Sequence, residues 1–303
     1  MNQKLIIIRY GEIALKAKKT RKHFESVLIK NIKNALEKNN IENNILKEWG
    51  RIYIYTNQIK NSLIVLKKIF GITSFSLAIQ TETEMDKISK KSIEILKNKL
   101  DKKKSFAIRV TRTGKHDFTS QDVAVKIGND IVKTTKAIVN LTKPDYELFI
   151  EIRNDKTFIF TKKIRGVGGM PFGTQGRVLA LVDNKYSILA AWYLMRRGCE
   201  TTFILTKKSY LKIINSFTKN WYINHDIYML KSGKNLFENI KKIVDGKNYQ
   251  AIVTGYSLFN KPKKTLSDIK LLKKTFNLPV LHPLIAMDTK EIKKKCRKIG
   301  III

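Results

Sequence analysis

Residues 165–182 read RGVGGMPFGTQGRVLALV, and the pattern of the chain changes across them. The stretch 165–177 holds five of the chain's 15 glycines. That density marks a linker, or a loop where backbones approach closely. The apolar run Val178 to Val182 then opens a series of short strand candidates at 178–182, 202–205, 251–254 and 279–281. Helical stretches near 187–197, 236–244, 267–276 and 288–298 separate them. Strands that alternate with helices predict a doubly wound parallel sheet, an α/β unit.

Upstream of the glycines the elements mix differently. Residues 4–9 (KLIIIR) read as a buried strand and 51–56 (RIYIYT) as an alternating one. Between them Phe24, Val27, Leu28, Asn31, Ile32, Ala35 and Leu36 recur at helical spacing, which predicts a helix over 20–38 that Thr20 could cap. Leu63 to Ile69 continue this small α+β unit. A second α+β unit follows, with a helix over 86–100 and a strand at 106–111 (FAIRVT). Its next helix, 121–136, uses Val123, Ile127 and Ile131, and 146–160 (YELFIEIRNDKTFIF) reads as a hairpin turning at Asn154-Asp155. The expected division is 1–56, 57–170 and 171–303.

The chain has 303 residues, and its 60 Lys+Arg against 25 Asp+Glu give a formal charge of +35. The excess runs through all three parts and is largest in 171–303. A compositional bias toward Lys, Asn and Ile would not by itself deplete the acids, so a polyanionic partner is expected, nucleic acid first. A membrane surface is the weaker account, because no strongly amphipathic terminal helix is present. No apolar run approaches the ~18 residues of a bilayer span, and the apolar stretch at the start, Leu5 to Ile8, is too short for a signal peptide. The expected setting is the cytoplasm. Cys199 and Cys296 are too few for a disulfide scaffold, and each reads as a small core residue. The histidines at 23, 116, 225 and 282 show no metal-ligand spacing. No Ser/His/Asp set emerges, and neither Glu12 with Glu25 nor Asp145 with Glu147 is placed in a cleft by its spacing. No catalytic residue and no metal ligand is assigned.

Several segments resemble the ThiI-type tRNA 4-thiouridine synthetases, a tRNA sulfurtransferase family. They are 9–34 (RYGEIALKAKKTRKHFESVLIKNIKN), 70–78 (FGITSFSLA), 106–120 (FAIRVTRTGKHDFTS), 143–152 (KPDYELFIEI), 166–181 (GVGGMPFGTQGRVLAL), 194–200 (LMRRGCE) and 283–300 (PLIAMDTKEIKKKCRKIG). They cover nearly the whole chain in family order. The resemblance implies a ferredoxin-like domain over 1–56, a tRNA-binding THUMP domain over 57–170, and an adenine-nucleotide-binding PP-loop domain over 171–303. In that family the last domain adenylates a uridine of tRNA and then transfers sulfur to it.

The departures lie in the third domain. The family's PP-loop, Ser-Gly-Gly-x-Asp-Ser, falls on Val182, Asp183, Asn184, Lys185, Tyr186 and Ser187, and the final Ser alone is kept. Such a loop holds pyrophosphate on backbone N–H groups at a helix N-terminus, with glycines to admit the anion. Asp183 instead brings a negative charge there. The stretch then reads as a plain strand-to-helix turn, with Asp183 or Asn184 as cap. Ala180, Leu181, Asp183, Asn184, Ser187 and Gly255 are therefore read as a vestigial nucleotide site. An adenine-side loop is replaced by Leu205-Thr206-Lys207-Lys208. Of a Thr-Gly-x-Ser-Leu-Gly-Gln-x-x-Ser-Gln pattern, Thr254, Gly255, Ser257 and Leu258 remain, while Phe259, Asn260, Lys263 and Lys264 replace the rest. The family's cysteine-bearing segment beyond Ile303 is not found in this sequence.

The first two domains depart less. Lys16, Lys18, Lys19, Arg21 and Lys22 crowd what reads as a loop before the first long helix. Arg109, Arg112 and Lys115 lie on and just beyond the 106–111 strand, and Lys162, Lys163 and Arg165 follow the hairpin. With the THUMP resemblance these basic residues are expected to neutralise RNA phosphates and recognise tRNA form over sequence. Phe24, Phe118 and Tyr146 are near enough to stack bases, although Phe24 has core spacing. The expectation is a tRNA-binding protein of tRNA modification with no cofactor and no ATP-dependent activity of its own. The alternative is an active sulfurtransferase that uses ATP with Mg through a divergent loop. A third reading has the third domain dock a separate catalytic or sulfur-transfer chain. Homodimerisation is left open.

Overall fold

The computed structural model describes residues 4–301 apart from Ser232, Lys234, Asn260 and Lys261. Asn260, named above as a replaced motif position, thus lies outside the described residues. In chain order come β1 (Lys4–Arg9), a 3-10 turn (Glu12–Leu15), α1 (Lys18–Glu37), β2 (Asn44–Glu48), β3 (Arg51–Tyr55), α2 (Ile59–Leu66) and β4 (Ser74–Glu82). Next are α3 (Met85–Leu96), β5 (Ser105–Thr113), α4 (Ser120–Thr135), β6 (Ile138–Val139), β7 (Tyr146–Arg153), β8 (Lys156–Phe160) and β9 (Ile164–Arg165). The rest is β10 (Gln175–Val182), α5 (Ser187–Arg196), β11 (Cys199–Leu205), α6 (Ser209–Asn220), β12 (Ile227–Met229), α7 (Leu236–Asp245), β13 (Ala251–Thr254), α8 (Pro262–Thr275), β14 (Val280–Leu281) and α9 (Thr289–Lys298). The fold class is α+β followed by α/β. The chain forms two compact units, one of residues 1–9, 41–63 and 74–165, the other of 10–40, 64–73 and 166–303.

The first unit is built on a nine-stranded mixed sheet, ordered β2-β3-β1-β4-β8-β7-β5-β6 with β9 on β4. Strands from 1–56 and 57–170 share it, joined where Lys4 to Arg9 pair antiparallel with Ile79 to Ser74. The hairpin turns as its sequence predicts. Arg153 pairs with Lys156, and Asn154 takes a left-handed φ of 53°. Alternation along β7 sends Leu148, Ile150 and Ile152 into a core with Val123, Ile127 and Ile131 of α4 and Ile88 and Leu96 of α3. The next residues, Phe149, Glu151 and Arg153, therefore point to the opposite face. There Leu5, Ile7, Tyr53, Ala78, Phe158 and Phe160 make a smaller cluster.

The second unit holds five parallel strands in the order β12-β11-β10-β13-β14. Both faces are covered. Ala180 and Val182 pack under α5, α6 and α9, while Leu179 and Leu181 pack under α7 and α8. β10 is the first strand in sequence and central in space. The chain leaves it toward β11 on one side and returns through β13 on the other, which creates a switch point at the carboxyl ends of β10 and β13. The glycine stretch is a close-approach strap. At Gly169, with φ of 78°, a Cβ would stand 2.1 Å from the Arg196 carbonyl oxygen.

Several expectations shift. Thr20 does not cap α1; the cap is Ala17, and Thr20 lies inside the helix. The run Lys18 to Lys22 is consequently helix, not loop. α8 begins at Pro262 rather than near 267, as suits a proline whose missing N–H is not needed in a first turn. β10 starts at Gln175, inside the glycine-rich stretch.

Candidate nucleic-acid interface and nucleotide loop

In the second unit, Lys18, Lys19, Arg21 and Lys22 occupy the first two turns of α1, which has no acid in its first turn. Cations there oppose the helix dipole, by about 0.3–1 kcal/mol each at low ionic strength. Arg21 lies 3.9 Å from Glu25, which accepts from the Tyr10 hydroxyl at 2.5 Å. Phe24 is buried in the core, as its spacing predicts.

The other basic residues belong to the first unit. Arg109 Nε donates to Glu147 at 3.0 Å and its NH2 to the Leu141 carbonyl at 2.6 Å. Arg109 and Thr111 share a face, opposite Phe149 and Glu151 in the parallel β5–β7 ladder. Arg112 points the other way, toward His116 Nδ1 at 3.2 Å, and its Nε is buried without a partner. Lys115 and Lys162 are exposed, and Arg165 sits in β9 against Ser74. Lys163 lies over the Phe149 ring, 4.2 Å from its centroid, and burial followed by repulsion from Arg9 pulls its pKa down. Phe118 and Tyr146 are half-buried against the α3–α4 core.

On that same sheet face is a cluster the sequence reading missed. Glu151, its side chain 5% exposed, accepts from Arg51 Nε at 2.6 Å, Arg9 NH2 at 3.0 Å and Arg153 NH1 at 3.4 Å. Burial opposes its charge, but Arg51 and Arg9 overcome that and hold the carboxyl below the usual range. Arg9 also lies 4.7 Å over the Phe160 ring, which stacks on Phe149. The signal was an acid at position 151 inside the apolar strand LFIEIR.

At the switch point of the second unit the loop after β10 is filled by its own side chains. Asp183 Oδ1 accepts from Asn184 Nδ2 at 2.8 Å and from Ser187 Oγ at 3.0 Å. Asn184 Oδ1 takes the Tyr186 N–H at 2.8 Å, and the Asn184 carbonyl takes that of Ser187 at 3.2 Å. The formal cap of α5 is Tyr186, without a side-chain cap bond, so Asp183 and Asn184 brace the turn from three and two residues earlier. Asn184 does not use a positive φ. Burial pushes the Asp183 carboxyl up, and Tyr210 on α6 donates its hydroxyl to the Asp183 carbonyl at 3.1 Å. Ala180 and Leu181 lie in the two buried layers below the loop. Gly255 closes the crevice: a Cβ there would stand 2.6 Å from Ser187 N and Cα. Beside it Thr254 Oγ1 bonds His282 Nδ1 at 2.7 Å, and Tyr256 stacks on the His282 ring.

Three family models match in this order: the ThiI ferredoxin-like domain over residues 5–76, the THUMP domain over 82–162, and thiamine biosynthesis protein (ThiI) over 205–302. A probable tRNA sulfurtransferase of Methanobrevibacter smithii is 34% identical, over 99% of this chain and 87% of its own. The chain belongs to the tRNA sulfurtransferase family. A crystal structure of PH1313 from Pyrococcus horikoshii is similar at 29% identity and a TM-score of 0.84, over 99% of this chain and all of that one. A 4-thiouridine synthetase solved with RNA and bound ATP shares the fold at 24% identity and a TM-score of 0.82, over 99% of this chain and 85% of that one. Among the described residues of this tRNA sulfurtransferase-family chain, no helix is long and apolar enough to cross a membrane.

Proposed function

We propose that this member of the tRNA sulfurtransferase family binds tRNA and acts in tRNA modification without adenylating tRNA by itself. The observation that carries the reading is the loop 183–187. Its Tyr186 and Ser187 N–H groups, which a phosphate cradle would leave open, are taken by Asn184. The acid at 183 stands where the triphosphate would lie. A second unit charge about 4 Å from a carboxylate costs roughly 1 kcal/mol in water and about 4 at an effective dielectric of about 20. That weakens affinity by about one to three orders of magnitude. The residues present do not fit a pyrophosphate, and we derive no step through ATP or Mg.

Binding of tRNA is supported by the charge of +35, by the THUMP match over 82–162 and by the basic residues of both units. We keep the division into 1–56, 57–170 and 171–303 as the working domain plan, and the cytoplasm as the setting. The second reading is an ATP-dependent sulfurtransferase with a divergent loop. It is favoured by the switch-point crevice itself, where Thr254 and Gly255 remain. Calorimetry with ATP and magnesium, then pyrophosphate release on unmodified tRNA, separates the two. Micromolar ATP binding with tRNA-stimulated release would promote the second. Copurification with a sulfur-transfer enzyme would support a partner chain.

A further inference from the structure

We propose that the guanidinium cluster organised by Glu151 is a seat for one backbone phosphate of the RNA, with Glu151 as its positioning residue. This rests on the tRNA-binding reading. The charge balance motivates it. Arg9, Arg51 and Arg153, with side chains 12%, 24% and 9% exposed, share one carboxylate that is 5% exposed. Two positive charges are left over in a largely dry place, and the exposed Lys163 ammonium lies on the same sheet face, over the Phe149 ring. Such an excess is unfavourable until an anion joins it. Burial, offset in part by Glu151, leaves the Arg9 pKa lowered, and Arg51 pushes it further in that direction.

The geometry also leaves donors to spare. Glu151 uses both oxygens, Oε2 for Arg9 and Oε1 for Arg51 and Arg153. Beyond these, Arg9 NH1 donates to Ser76 Oγ at 3.0 Å, Arg51 NH1 to the Gly50 carbonyl at 2.7 Å, and Arg153 NH2 to the Trp49 carbonyl. A guanidinium carries five N–H groups in a rigid fork that matches phosphate oxygens. Each arginine is thus fixed at two points, with further N–H groups still to place. Arg51, the most exposed, is the entrance. The carboxylate and the β2–β3 turn hold the forks still, so little side-chain entropy is lost when a phosphate arrives.

The test is fluorescence anisotropy of labelled tRNA across a salt series, with folding checked by circular dichroism melts. Arg51→Gln is expected to weaken binding about fivefold and to lower the slope of log K against log salt by about 0.7–0.9, the loss of one phosphate contact. Arg51→Lys keeps the charge but not the fork; it should weaken binding while leaving the slope intact. A folded Arg51→Gln protein with unchanged affinity and slope overturns the seat and leaves tRNA binding standing. No tRNA binding by the unaltered protein overturns both. Thermal shift with inorganic phosphate distinguishes the source. If phosphate stabilises the unaltered protein but not Arg51→Gln, and tRNA ignores the substitution, the RNA assignment is overturned in favour of free phosphate.

Discussion

Ser187 Oγ donates to Asp183 Oδ1 at 3.0 Å, across the turn that joins β10 to α5. The serine hydroxyl serves a carboxylate of the same chain. The contact braces the turn from within.

Asp183 should make stability depend on pH. Burial raises its folded pKa above the ordinary 3.8. Between those values the folded state binds more protons than the unfolded, so this group's contribution falls as pH rises through the folded pKa. Asp183→Asn keeps an oxygen acceptor for Ser187 and Asn184. It is expected to raise the melting temperature at pH 7, with the gain shrinking as pH drops toward 3.8. A gain that grows on acidification would contradict this.

His282 works in the opposite direction. Burial lowers its pKa below the ordinary 6.5, as it does for His225. The unfolded state then binds more protons just below pH 6.5, so stability falls as pH drops from 6.5 toward the folded pKa. His282→Gln should flatten part of that acid limb in denaturation curves taken between pH 7 and 5. An unaltered limb would show that His282 does not contribute to it.

Gly255→Ala tests the closeness of β13 to α5. The added methyl meets Ser187 N and Cα at 2.6 Å and Ser187 Oγ at 2.7 Å. Overpacking of this kind costs about 1–3 kcal/mol. Chemical denaturation should show a loss of that size with an unchanged m-value.

Binding to tRNA should be steeply salt-dependent, with log K falling by about 0.7–0.9 per phosphate contact for each tenfold rise in salt. Arg109→Ala together with Lys115→Ala is expected to weaken binding several-fold and to reduce the preference for tRNA over a generic stem. Arg109 loses less than a free cation would, because Glu147 already shares it. Flat binding at low salt would refute the central idea.

Much of the secondary structure was legible because burial repeats with a fixed period. KLIIIR became β1, and Val123, Ile127 and Ile131 became the buried stripe of α4. β4 was missed because SFSLAIQTE carries Ser, Gln and Thr among its apolar residues, and its place between β1 and β8 is a matter of pairing. α6 was missed although Ile214 and Phe217 have helical spacing. Lys212, Asn215, Ser216 and Lys219 surround that short stripe and dilute the local pattern. The basic residues were visible as types, but their partners were not. Arg9, Arg51, Glu151 and Arg153 come from β1, β3 and β7, and β7 lies beyond β4 and β8 in the sheet order, so no local pattern reports their meeting.

The sequence by itself determined the two kinds of architecture on either side of the glycine stretch, the charge of +35, and the presence of Asp183 and Asn184 directly after the strand that opens the second kind. These are local properties: periodicity, composition and residue identity at a fixed spacing. Tertiary structure alone decided that Gly255 abuts Ser187 and that one buried carboxylate gathers three guanidiniums. Those outcomes depend on strand order and on which face a side chain takes, and both are set by long-range pairing among residues far apart in the chain.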